Sequence, residues 1–166
     1  MRRYFLSLGS NIEPRRNLVA AVRMLRSHGE VIAVSPVYVS PPFGTDDPQP
    51  DYLNAVLIID SDLEPDDFQD RVVRTVEMQL GRERGGDRFA PRTIDIDILM
   101  VDRAVLEIDH RRIPSPEIIE RSFVAVPLAE IAPDIIHPED GRTMAEIAAG
   151  FEERLRVSDL ELTLDR

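Results

Sequence analysis

The sequence contains neither cysteine nor lysine, and all 20 of its Lys+Arg side chains are arginine. Without cysteine there is no disulfide framework, no thiolate metal site and no thiol nucleophile. Without lysine there is no Schiff-base chemistry and no P-loop lysine. Any anion must therefore be met by arginine, whose planar fork matches phosphate and carboxylate oxygens in pairs. Long apolar runs are missing too. No stretch approaches the roughly 20 residues of a membrane span. The N-terminal "MRRYFLSLGSN" breaks at Gly9-Ser10-Asn11, short of a signal peptide's roughly seven to fifteen apolar residues. A soluble, unexported, cytoplasmic protein is expected. Positive charge is in short supply as well: 31 acidic residues give a net charge of -11, which argues against a nucleic-acid partner.

What is present fits one domain of 166 residues, 43% of them hydrophobic. Tyr4 to Leu8 reads as a buried strand, and a helix follows Pro14 with Leu18, Ala21, Val22 and Leu25 at helical spacing, stopping at Gly29. Glu30 to Val39 reads as a strand placed at an edge or bulge by Pro36. Tyr52 to Asp60 reads as a strong apolar strand. Pro65, Asp66 and Asp67 open a second helix that carries Phe68, Val72, Val76 and Leu80 on one face and ends at Gly81. The Asp-Ile strand comes next. This order predicts an α+β ferredoxin-like sandwich, an antiparallel sheet with helices on one face and the active site on the other. Further on, a short helix, a strand at Phe123 to Val126, a helix from about Thr143 to Arg154 and a terminal edge strand over about residues 155–166, with Leu160, Leu162 and Leu164 alternating, are expected.

The most informative stretch is "RFAPRTIDIDILM", Arg88 to Met100. In a strand Asp95 and Asp97 share a face while Ile94, Ile96 and Ile98 point to the core. Carboxylates about 6.5 to 7 Å apart repel unless cations lie between them, and Mg²⁺ prefers carboxylate oxygen together with substrate phosphate. A solvated polar sheet face is the plain alternative, although Asp is a poor strand former. Just upstream, Arg82, Arg84, Arg88 and Arg92 gather in a glycine-bearing loop, which suits a polyphosphate clamp or, more plainly, a solvated basic loop paired with Glu83 and Asp87. The loop "SPPFGTDDPQP", Ser40 to Pro50, has the length and proline content of a lid or of an ordinary surface loop. Tyr52 and Asn54 share a strand face, where Asn54 either satisfies a backbone group or offers a donor and an acceptor to a flat heterocycle. Phe43, Phe89 and Phe123 are candidate stacking surfaces or core residues. Glu77 is either a site carboxylate or a solvated helix residue. His28, His110 and His137 lack metal-ligand spacing.

Taken together, "LGSNIEP", "SPPFG", "QPDYLNAV", "GRER", "RFAPRTIDIDIL" and "ERSFVAVPLAEIAPD" resemble the 6-hydroxymethyl-7,8-dihydropterin pyrophosphokinase family of folate biosynthesis over nearly the whole chain. The resemblance implies transfer of the β,γ-pyrophosphate of ATP to the pterin hydroxymethyl group, with release of AMP. It also implies two Mg²⁺ ions held by Asp95 and Asp97, and catalytic roles for Arg82, Arg92 and both aspartates. An ATP site of Glu77, Arg82, Arg84, Arg88, Arg92, Ile98, Ser115 and Arg121 follows from it, as does a pterin site of Pro42, Phe43, Gly44, Tyr52, Asn54, Phe89 and Phe123. The partners implied are ATP and the pterin, with a monomer as the working unit. Two positions depart from the family pattern: Ser115 stands where a histidine would meet the triphosphate, and Phe89 where a tryptophan is frequent. Ser115 keeps open an alternative, a catalytically weak relative that serves as a nucleotide- or pterin-binding module. The carboxylate pair alone would also permit a two-metal nuclease, which the acidic balance opposes.

Overall fold

The computed structural model describes residues 1–83, 86 and 89–164. Its framework is an antiparallel sheet of β1 (Arg2–Ser10), β2 (Glu30–Val34), β3 (Tyr38–Ser40), β4 (Tyr52–Ser61) and β5 (Asp95–Val101), with α1 (Pro14–Leu25) after β1. The strand order is β5-β1-β4-β3, with β2 also paired to β4, so the two longest strands lie at the centre. A strand, helix, strand, strand, helix, strand chain wound in this way is the ferredoxin-like arrangement.

The expected single strand over residues 30–39 is two strands. Pro36 has no N–H to give to the ladder. Ser35 closes the break: its N–H donates to the Val56 carbonyl, and its hydroxyl accepts from the Val56 N–H, at 2.9 and 2.8 Å. The second helical stretch runs through α2 (Pro65–Phe68), a π-helical turn (Gln69–Val73) and α3 (Arg74–Gln79). The wider turn brings Val72 and Val73 both into the core beside Phe68 and Val76. Phe68 stacks on Tyr4, ring centroids 3.9 Å apart.

Period-2 alternation divides the side chains between two cores. Tyr4, Leu6, Leu8, Leu57 and Ile96 pack against α1 and the α2–α3 stretch. Phe5, Val56, Ile58 and Met100 face the other way. A register shift between Phe5 and Leu6 in the β1–β5 pairing marks the end of the strand where the second core begins. That core is covered by α4 (Glu117–Glu120), α5 (Ser122–Ile131) and α6 (Met144–Ala149). The second face is thus part core and part site.

Three expectations need correction here. Phe123 to Val126 is not a strand but part of α5, with Val124, Ala125 and Leu128 buried at helical spacing. A short apolar run does not reveal its period until it is known what it packs on. The helix after Thr143 ends at Ala149, not near Arg154; Thr143 caps it by accepting from the Glu146 N–H. The terminal strand is the two-residue β8 (Arg156–Val157) on β3, and Leu160 and Leu162 lie beyond it, packed on the first core. Between β5 and α4, β6 (Leu106–Ile108) and β7 (Arg111–Ile113) form a hairpin.

Candidate active site

Gly9 marks the floor of the site. In register it lies between Asn54 on β4 and Asp95 on β5, one row from the Ser7–Asp97 pair. A methyl at position 9 would come within 3.3 Å of the Asn54 amide oxygen and 3.6 Å of the Tyr52 ring, so glycine keeps this row low. Above it opens a cleft of about 630 Å³, walled by the loop after β3, the segment leading into β5, the β6–β7 hairpin and the start of α5.

The lining of the cleft is strongly charged. Arg82, Arg92, Arg111, Arg112 and Arg121 line it against Asp95, Asp97 and Glu117. In a chain of net charge -11 this local excess of guanidinium marks a place for an anion. Asp95 is gripped on both oxygens, by Arg82 at 3.0 Å and Arg92 at 3.1 Å. Arg82 also pairs with Glu77, which is 2% exposed. Glu77 is therefore neither a solvated helix residue nor a wall of the cleft; it is a buried anchor behind Arg82. Asp97 takes Arg111 at 2.6 Å. Burial, then the charges of Asp95 and Glu117, push the Asp97 carboxyl well above the usual carboxylate range, and Arg111 opposes the shift. Burial and Asp95 push Glu117 the same way.

Flat surfaces line the same cleft. Phe43, Tyr52, Asn54, Phe89 and Phe123 all line the cleft. The Asn54 amide nitrogen donates to the Ser40 hydroxyl at 2.7 Å and the Tyr38 carbonyl at 3.4 Å, which fixes the side chain and sets its oxygen over Gly9. Arg121 lies over the Phe43 ring, 3.7 Å from its centroid. Pro41, rather than Pro42, lines the cleft. Gly44 stands outside it, at φ +76° against the Phe89 ring. Ser115 is on the wall and accepts from the Glu117 N–H at 3.3 Å. Ile98 borders the cleft while its side chain belongs to the core. Arg84 and Arg88 lie outside the described residues.

Other residues in the site escaped the sequence reading. Asn11, read there only as a turn residue, is 2% exposed. Its Oδ1 accepts from the Arg92 N–H at 2.8 Å, and its own N–H donates to the Arg92 carbonyl at 3.1 Å. Its Nδ2 donates to Gln49, whose amide donates on to the Phe89 carbonyl at 2.7 Å, so one side chain joins both loops above the cleft. Arg111 and Arg112 enter from the hairpin, Arg112 pairing with Glu139. The doubled arginine before "IPSP" is the sequence signal for them.

Two carboxylates on one strand face are a hard-oxygen donor set. Among the described residues no cluster of three metal-ligating side chains occurs, and Mg²⁺ needs only one or two carboxylates when phosphate and water complete its shell. The donor set therefore fits magnesium. Hard carboxylates within a ring of arginines, beside an aromatic slot, define a site of the phosphoryl-transfer class.

The comparisons with known proteins give the family. The family model described as 7,8-dihydro-6-hydroxymethylpterin-pyrophosphokinase (HPPK) matches residues 5–133. A Pseudomonas aeruginosa protein named 2-amino-4-hydroxy-6-hydroxymethyldihydropteridine pyrophosphokinase is 38% identical over 152 residues, covering 90% of this chain and 91% of that one. A protein of the same name from Methylorubrum extorquens is 40% identical over 155 residues, with 92% and 95% covered. The fold matches the crystal structure described as Plasmodium falciparum HPPK-DHPS wild type at a TM-score of 0.71 and 12% identity, covering 89% of this chain and 44% of that one. The chain belongs to the HPPK family of pyrophosphokinases. No helix among the described residues is long and apolar enough to cross a membrane.

Proposed function

We propose that the protein transfers the β,γ-pyrophosphate of ATP to the hydroxymethyl group of 6-hydroxymethyl-7,8-dihydropterin, releasing AMP, as a cytoplasmic monomer that takes two Mg²⁺ ions. The observation that carries this reading is the shared sheet face of Asp95 and Asp97 inside a ring of arginines, beside the Tyr52–Asn54–Phe123 slot. In the reaction the pterin alcohol oxygen forms a bond to the β-phosphorus. The bond from that phosphorus to the bridging oxygen of AMP breaks, and the alcohol proton is lost. Alignment of the two oxygens and relief of charge account for most of such catalysis.

The residues divide the work by chemistry. Asp95 and Asp97 hold the magnesium ions, which when bound neutralise phosphate charge and acidify a coordinated hydroxyl. Arg82 and Arg92, fixed by Glu77 and Asn11, face the transferring and leaving oxygens. Arg121 and, by the family pattern, Arg84 and Arg88 hold the remaining phosphates, with Ser115 as a neutral contact. The pterin stacks between Tyr52 and Phe123, and Asn54 reads its hydrogen-bonding edge. Phe43 and Phe89 close over it.

The test is incubation of the protein with ATP, Mg²⁺ and the reduced hydroxymethylpterin, followed by chromatography of the nucleotides. AMP formed only with pterin and metal together is expected. Binding of ATP or pterin with no AMP formed would overturn the reading and leave a binding module.

A further inference from the structure

Among the described residues three arginines hold the two aspartates of β5, and they are not equivalent. Arg82 and Arg92 are 14% and 25% exposed and sit on Asp95. Arg82 is tied behind to the buried Glu77, and Arg92 is held through its backbone by Asn11. Arg111 is 65% exposed and reaches in from the hairpin to one oxygen of Asp97. The hairpin beneath it is fixed. Ile108 and Ile113 are buried in the first core, and Asp109 at the turn accepts from Arg74 on α3 at 2.6 Å. What sets Arg111 apart from Arg82 and Arg92 is that its side chain, mostly in solvent, has room to leave its carboxylate.

A divalent ion and a guanidinium that share one carboxylate weaken each other's hold on it, because like charges repel, and the less anchored of the two is the one to move. We propose that Arg111 is an exchangeable counter-ion: it occupies Asp97 while the cleft is empty, yields it to the divalent ion, and moves its charge onto a phosphate oxygen of the incoming polyphosphate. This rests on the reading of Asp97 as a metal ligand. Metal alone must displace Arg111 without offering it a new partner. Polyphosphate alone draws Arg111 away and leaves Asp97 uncompensated beside Asp95 and Glu117. Bound together, each supplies the charge that the other displaces, so metal and nucleotide favour one another's binding, reciprocally. The two tasks fall to one flexible side chain because its neighbours are pinned.

The test needs no turnover. Mn²⁺ binding is titrated by electron paramagnetic resonance, with and without α,β-methylene-ATP, in the wild type, Arg111→Met and Arg111→Lys. Arg111→Met is expected to bind free Mn²⁺ up to about fivefold tighter, the scale of a part-exposed ion pair. The factor by which the nucleotide tightens Mn²⁺ binding should shrink correspondingly, while Arg111→Lys stays near the wild type. Unchanged or weaker Mn²⁺ binding in Arg111→Met, or Arg111→Lys behaving as Arg111→Met does, overturns the exchange. Asp97→Asn separates the two levels of the argument. If it leaves Mn²⁺ binding unaltered, the metal-site reading fails and the exchange fails with it. If it weakens Mn²⁺ binding while Arg111→Met brings no gain, the exchange alone fails.

Discussion

Asn11 grips the backbone of Arg92 from both sides of the peptide, its Oδ1 accepting from the Arg92 N–H and its own N–H donating to the Arg92 carbonyl. Arg92 in turn holds Asp95 at 3.1 Å. A residue at the end of β1 thereby places a guanidinium that enters the site from a loop some 80 positions away in sequence. Asn11→Ala should lower kcat by roughly 10- to 100-fold, the scale of one lost orienting hydrogen bond to a catalytic group. Far-ultraviolet circular dichroism should remain that of the wild type. Steady-state kinetics give the answer, and an unchanged kcat would remove Asn11 from the machinery.

Asp95→Asn and Asp97→Asn keep the size of the side chain and discard its charge. Each should reduce turnover by two to three orders of magnitude, about what the loss of a preorganised electrostatic group costs. Cooperative thermal unfolding should persist in both, since the core side of β5 is carried by Ile96 and Ile98. Rates near those of the wild type in either variant would exclude a magnesium role for that carboxylate.

Gly44 adopts φ +76°, and a Cβ built on it runs into the Phe89 ring. Gly44→Ala adds left-handed backbone strain of roughly 1–2 kcal/mol to that collision. The loop over the aromatic slot, the pterin's place under the proposed function, must shift away from Phe89, so KM for the pterin should rise more than KM for ATP. Initial rates with each substrate varied in turn distinguish this from a general loss of stability, which would move both together.

His137 is 4% exposed, and its Nδ1 accepts from the N–H groups of Glu139 and Asp140 at 3.2 and 3.0 Å. Burial holds its pKa below the ordinary histidine value, while Asp140 and Glu139 partly offset the shift. The unfolded chain therefore takes up a proton at a pH where the folded protein does not. Stability from this group is complete above about pH 6.5 and falls as the pH drops toward the depressed folded value. His137→Asn, which keeps an acceptor but does not titrate, should show a shallower decline in Tm between pH 7.5 and 5. Parallel declines in the two proteins would contradict the assignment.

Much of this was legible in the sequence because period and punctuation are local. Alternation in "IDIDI" places both aspartates on one face before any partner strand is known, and Pro65 and Gly81 bracket the second helical stretch. Residues whose meaning depends on what lies opposite were not legible. Glu77 looks like a solvated carboxylate until Arg82 is found folded back onto it. Phe123 to Val126 has a strand's composition, but the second core beside Phe5 and Val56 gives it a helix's neighbours. Arg111 reaches Asp97, and Arg112 the cleft wall, only because a hairpin returns them there. Asn11, with the signature of a turn, has partners about 40 and 80 positions away.

The segment after α6 crosses from one layer of the molecule to the other. Phe151 packs in the second core, Glu153 accepts from Ser122 at 2.8 Å, and Arg156–Val157 pairs with β3. Asp159 then meets Arg15 on α1, and Leu160 and Leu162 finish in the first core. Such a segment docks completely only when both layers exist, so it closes the structure as a clasp. It also covers the β3 edge of the sheet at Tyr38 and Val39, where unpaired backbone groups would otherwise be offered to another chain. Loosening the clasp would thus undo two protections together, solvent exclusion from the α1 layer and resistance to edge-to-edge association.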